Sequence, residues 1–269
     1  SLSIAEELAA DDPASLRFRR DVATSYSLLG SLALRGRDEE AERLYRQSLA
    51  IRQELVAADP TNTQFRRDLS LTYFKLADLD VSHGRPEEAE GLYRQSLALR
   101  EELVAADPVN AELRQGLAYC YTKLADLAAS TGRLEDAERL YRQRVVIDEQ
   151  LTAAEPSNAT FRHNLAMSYL KLANLADSAG QPRETERLYS QALAISEALA
   201  ASDSIDYDLR RDLVATFESL ADLATSVAGS EEAGRLRDRA LAIGESLTAD
   251  VSGKMPLPEV GDARDVPPS

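Results

Sequence analysis

The chain of 269 residues contains no tryptophan, one cysteine and two histidines, and each scarcity removes a class of function. Cys120 alone closes no internal disulfide, so nothing asks for an oxidising compartment. His83 and His163 lack metal-ligand spacing, and no phosphate loop, serine elbow or paired-carboxylate motif stands out from an acid-rich background. No stretch approaches the roughly 18 consecutive apolar residues of a membrane span, and the opening Ser1-Leu2-Ser3-Ile4-Ala5-Glu6-Glu7 is not a signal peptide. Positive charge is also short. Lys plus Arg total 31 against 46 Asp plus Glu, a formal charge of -15 that repels a nucleic-acid backbone and an anionic membrane surface. These absences predict a cytoplasmic, non-enzymatic protein without cofactor or metal.

What is present is repetition. Ala41-Glu42-Arg43-Leu44-Tyr45-Arg46 returns as Ala89-Glu90-Gly91-Leu92-Tyr93-Arg94 and as Ala137-Glu138-Arg139-Leu140-Tyr141-Arg142, each step being 48 residues. Weaker copies begin at Thr185 and Ala233. A second block, Phe65-Arg66-Arg67-Asp68-Leu69, recurs at 113–117, 161–165 and 209–213, with residues 18–22 lying 47 upstream. Five cycles thus fill residues 13–250, as in a solenoid of stacked units.

Within a cycle, apolar residues recur at helical spacing and predict two helices. In cycle two the first is expected to bury Phe65, Leu69, Tyr73, Leu76 and Leu79, and the second Leu92, Tyr93, Leu97 and Leu103. Ser15, Asn62, Asn110, Asn158 and Asp206 are the expected N-caps of the first helices. Gly36, Gly84, Gly132, Gly180 and Gly229 are expected to end them in a left-handed turn. Acidic pairs such as Glu39-Glu40 and Glu87-Glu88 suit the positive end of the second helix.

These residues resemble tetratricopeptide repeats. Ala77, Gly84, Ala89 and Tyr93 match the family's helix-turn-helix pattern in register, as do Ala125, Gly132, Ala137 and Tyr141, and Ala173, Gly180 and Tyr189 with Thr185 replacing Ala. The repeat is longer than the usual 34 or so residues, and is similar to the long-helix arrays of kinesin light chains and of bacterial multidomain signalling proteins. The resemblance implies an all-α, right-handed superhelical solenoid of antiparallel helix pairs. Its ends are also informative: Ser1 to Leu8 matches Ser96 to Leu103, so residues 1–12 are expected to be the later half of a preceding repeat's second helix. The proline-rich residues 251–269 are expected to form a flexible tail.

In such arrays a second face of the first helix lines a concave groove. Here that face holds Leu71, Phe74, Lys75 and Asp78, then Tyr119, Thr122, Lys123 and Asp126, then Met167, Leu170, Lys171 and Asn174. Its apolar columns vary between cycles, as a binding surface requires; packing between neighbouring helices is the alternative. Only four lysines occur against 27 arginines, and three share one column. They form either a cationic ladder for a partner's carboxylates or intrahelical pairs with Asp78, Asp126 and Asn174 three residues on. The family's carboxylate clamp has Asn where Asp78 and Asp126 stand, which argues against chaperone C-termini. The column Arg19, Arg66, Arg114, Arg162 and Arg210 suits a salt-bridged edge better than a phosphate site, and Cys120 a close helix contact better than a nucleophile.

Two functions remain in view. One is a scaffold binding a protein, as peptide or partner helix, in the groove. The other is a regulatory or oligomerising arm whose main contact is an upstream domain of the same polypeptide, with Leu2, Ile4 and Leu8 as its expected self-association surface.

Overall fold

The computed structural model describes residues 2–34, 36–202 and 205–254, with side chains to residue 247. Among the described residues the secondary structure is α-helical throughout and contains no strand. The chain divides into two compact units, residues 1–155 and 156–269. The first contains α1 (Leu2–Asp11), α2 (Leu16–Ala33), α3 (Asp38–Ala58), α4 (Thr63–Ser82), α5 (Pro86–Ala106), α6 (Ala111–Ser130) and α7 (Leu134–Ala154). The second contains α8 (Ala159–Ser178), α9 (Pro182–Ala200), α10 (Tyr207–Val227) and α11 (Ser230–Lys254). Even-numbered helices open the cycles and odd-numbered ones close them, which makes the chain an all-helical repeat solenoid.

The caps explain where the helices start. Ser15, Asn62, Asn110, Asn158 and Asp206 each accept a backbone N–H from the first turn of α2, α4, α6, α8 and α10, satisfying a donor that has no intrahelical partner. The five turn glycines explain where those helices stop. All have positive φ, from +68° to +103°, a region costly for any residue with a Cβ. After Gly84 the Arg85 amide closes back on the Asp80 carbonyl at 2.8 Å, and after Gly132 the Arg133 amide closes on Ala128 at 2.8 Å, leaving the chain aimed into the next helix.

Small residues let the two helices of a cycle approach. Ala41, Ala89, Ala137 and the facing Ala77 and Ala125 are wholly buried, and Tyr45, Tyr93 and Tyr141 fill the space beside them. Ser48 and Ser96 donate to the carbonyls of Ala23 and Ser70 on the paired first helix, both at 2.8 Å. The expected apolar face of α4 is buried as a whole. In α5, Tyr93 and Leu103 are buried, while Leu92 and Leu97 are only half-buried, Leu92 packing at the edge of the cluster formed by Leu44, Tyr45, Leu76 and Leu79.

Successive cycles in the first unit are joined by a hydrophobic contact and a charged one. Leu76 and Leu79 pack on Ala33, Ala41, Leu44 and Tyr45 of the cycle before. Arg85 then reaches back to Glu42 at 2.8 Å, and Arg133 holds Glu90 through two bonds at 3.0 and 2.7 Å. The arginines press both glutamates below the usual carboxylate range, against a smaller opposing effect of burial.

At the N-terminal end α1 stands to α2 as α5 does to α6. Tyr26 donates to Glu6 at 2.7 Å, and Tyr121 donates to Glu101 at 2.8 Å, across the same separation of 20 residues. At the other end α11 is helical to Lys254, four residues into the segment expected as tail. Residues 255–269 lie outside the described residues.

Candidate functional site

The first helices place the predicted binding columns in two different environments. Leu71 and Tyr119 are open, at 40% and 50% exposure. Phe74, Thr122 and Leu170 are buried, so they are corrected from groove lining to packing. A column three positions along the helix from the exposed one turns towards the neighbouring helix. In that place Phe74 supports the surface from beneath. Its ring lies 5.1 Å from Tyr119 and 5.3 Å from Tyr93, and the Arg100 guanidinium sits 5.5 Å from its centroid. Gly116 leaves room for that guanidinium, since a Cβ there would stand 2.3 Å from Arg100 Nη1. In the second unit Met167 is half-buried and its sulfur accepts from the Thr216 hydroxyl at 3.3 Å, while Asn174 is exposed.

Lys75 and Lys123 each reach back to a partner on the preceding cycle. Lys123 bridges to Asp78 of the preceding cycle at 3.0 Å. Burial opposes the Lys123 charge, but the hydrogen bond and charge of Asp78 outweigh it and raise the ammonium pKa. Lys75 has no acid at the corresponding place, because Ser31 stands there. Its ammonium instead donates to Ser31 Oγ at 2.8 Å and Ser27 Oγ at 3.5 Å, and lies 5.5 Å over the Tyr45 ring. Burial, with Arg52 adding repulsion, lowers its pKa. The column therefore holds one quenched cation and one cation met only by hydroxyls and a ring. Lys171 is half-buried on α8 of the second unit.

Asp78 and Asp126 also have a role inside the fold, each accepting through Oδ1 from a tyrosine of the second helix. Tyr93 donates to Asp78 at 2.5 Å, and Tyr141 donates to Asp126. Both tyrosines are buried, and burial followed by the adjacent carboxylate pushes their pKa values well above the ordinary value. The contact is a repeat feature that sequence reading missed. Ser31 pairs with Tyr45 at 3.0 Å, and in the last cycle Arg237 replaces the tyrosine and meets Asp222 at 3.1 Å. In the fourth cycle Asn174 replaces the acid and the Tyr189 hydroxyl is buried without a partner. The legible signal was a 15-residue spacing of Asp and Tyr in cycles two and three, kept as Asp and Arg in cycle five.

The remaining columns are structural. Arg19 pairs with Glu54, Arg66 with Glu102 at 3.3 Å, and Arg114 donates to Gln150, each on the second helix of its own cycle. Cys120 is wholly buried beside Ser96, and burial raises its thiol pKa, so no reactive thiolate is offered. Among the described residues no group of three or more His, Cys, Asp or Glu is placed to hold a metal ion. No helix among them is long and apolar enough to cross a membrane.

A profile of the family described as "Tetratricopeptide repeat" matches residues 22–61, 68–109 and 160–206. Those segments are tetratricopeptide repeats by that match. Solved structures agree on the fold. BtubC (BKLC) from P. vanneervenii superposes with a TM-score of 0.66 at 23% identity, covering 100% of this chain and 95% of that one. A putative kinesin light chain from Podosopora anserina, with nearly identical TPR-like repeats, gives 0.55 at 22% identity, covering 87% and 96%. The apo form of RapI gives 0.60 at 13% identity, covering 86% and 73%. At these identities the likeness concerns the fold alone. Among curated proteins none matches the sequence.

Proposed function

We propose that the chain is a non-catalytic binding scaffold that holds a peptide or a partner helix against the first-helix face of its second and third cycles. The observation carrying this reading is the exposed pair Leu71 and Tyr119, which share one column in successive cycles. Tyr119 is fixed from below by Phe74, and Lys123 lies 5.6 Å over its ring. A rigid aromatic that stays half exposed supplies contact area at small entropic cost, as binding hot spots do.

Polarity comes from Lys75. Since Asp78 neutralises Lys123 but no carboxylate neutralises Lys75, an acidic residue of the partner gains more from the latter. The reading accordingly favours a partner that sets an apolar side chain beside Tyr119 and a carboxylate at Lys75. The test selects displayed random peptides on the full chain and measures their affinity by fluorescence anisotropy. Tyr119→Ala is expected to weaken binding at least about tenfold, and Lys75→Ala to weaken it more than Lys123→Ala. Selected peptides that bind all three variants as they bind the parent would reject the assignment.

A further inference from the structure

Between the second helices α3 and α5, inside the first unit, lies an open cavity of about 430 Å³ that shares no residue with the face carrying Leu71 and Tyr119. Its floor is apolar: Leu76 is buried, and Leu49 and Leu92 are half-buried. Two departures from the repeat meet at this cavity. Gly91 stands where the other four cycles have Arg43, Arg139, Arg187 and Arg235, and Asp80 stands where they have Ala33, Ala128, Ala176 and Ala224. One cation is missing and one anion is added, both in cycle two alone.

The other cycles define what the missing arginine does. Arg139 pairs with Asp136 at 3.2 Å, Arg187 grips Glu184 through two bonds at 2.8 and 2.7 Å, and Arg235 pairs with Glu232, each acid lying three residues earlier. The matching acid of cycle two is Glu88. It and Glu87 line the cavity, are exposed, and make no ion pair among the described residues. The two cations on the rim are already occupied: Arg85 is held by Glu42 at 2.8 Å and Asp80 at 2.6 Å, and Arg46 by Glu42 at 2.7 Å. A Cβ at Gly91 would meet nothing within 4 Å, so that wall of the cavity stands open. An apolar floor below unmatched carboxylates suits a long side chain with an alkyl stem and a cationic end. We propose that the cavity is a socket for an arginine side chain of a protein partner, whose guanidinium takes the place left by Gly91 and pairs with Glu87 and Glu88. Its stem lies on Leu49, Leu76 and Leu92. The planar fork that Arg187 uses on Glu184 is one that lysine lacks, and the chain's charge of -15 draws a basic partner.

The test titrates the nitrogen-15-labelled full chain with acetyl-Gly-Arg-Gly-amide and follows the Leu92 amide by NMR. A saturable shift is expected, with binding at least about tenfold weaker for the citrulline peptide, which keeps the shape and loses the charge. Glu88→Gln is expected to weaken the arginine peptide at least about fivefold, and Gly91→Ala to leave it within about twofold. Gly91→Arg refills the column from within, so it is expected to abolish binding and to unfold at a higher temperature than Gly91→Ala. Tyr119→Ala is expected to change nothing here, which keeps the outcome separate from that of the first-helix face. Agmatine, a free guanidine, is expected to bind more weakly than the peptide. Binding of agmatine as tight as that of the peptide would overturn the assignment to a protein partner. The socket itself is overturned by the lack of a saturable shift, by equal affinity for the citrulline peptide, or by a Gly91→Arg chain that binds as the parent does.

Discussion

Replacing Asp78 by Ala removes two partners at once, and the two losses differ in size. The Tyr93 hydroxyl is buried, so losing its acceptor leaves a buried donor unsatisfied, a cost of about 1–3 kcal/mol. The Lys123 pair is partly open, with side-chain exposures of 30% and 38%, and solvent screening limits it to about 1 kcal/mol or less. The sum is roughly 1–4 kcal/mol, read from the midpoint of urea unfolding followed by circular dichroism. A double-mutant cycle separates the parts. Adding Tyr93→Phe to Asp78→Ala removes the stranded hydroxyl, so the double variant is expected to be more stable than the two single losses added together. Adding Lys123→Ala is expected to recover much less. If the Asp78 and Tyr93 effects simply add, the hydroxyl–carboxylate bond is not the link between the two helices, and the reasoning fails.

Three further outcomes follow from the same geometry. Asn110→Ala removes the acceptor for the Leu113 amide at the start of α6 and is expected to cost about 1 kcal/mol by urea unfolding, with no change in the peptide-binding face. Gly132→Ala adds a Cβ that meets nothing within 4 Å, so its cost is backbone strain alone at φ +77°, about 1 kcal/mol, whereas Gly132→Asn is expected to cost less. Burial raises the pKa of Tyr93, Tyr141 and Tyr45 in the folded chain above the ordinary 10.0. Their contribution is therefore complete below about pH 10 and declines as the unfolded chain ionises above it, so a pH series of unfolding midpoints is expected to fall on the alkaline side, less steeply in Tyr93→Phe.

Much of this was legible in the sequence, because the rules that set it are local. Asn62 caps α4 and Gly84 ends it for reasons contained in a few adjacent residues. The alternation of Ala77, Ala89 and Tyr93 reports a close helix pair wherever it occurs. The site was less legible, since its exposure is decided between cycles. Leu71 and Phe74 are both apolar and three residues apart, yet only one is covered, because the next first helix lies on one side of α4. Lys123 and Asp126 look like partners on one helix, while the structure also brings Lys123 to Asp78 on the neighbouring one.

The central claim is that partners bind the first-helix face. A photo-cross-linking residue, p-benzoylphenylalanine, placed at position 119 or, as the control, at the outward-facing position 94, tests it most directly with a selected peptide. Arg94 is exposed and paired only within its own helix, to Glu90 at 2.7 Å, so the control position leaves the fold undisturbed. The account predicts a cross-link from position 119 that unlabelled peptide competes away, and none from position 94. A competed cross-link from position 94 with none from 119 would contradict it.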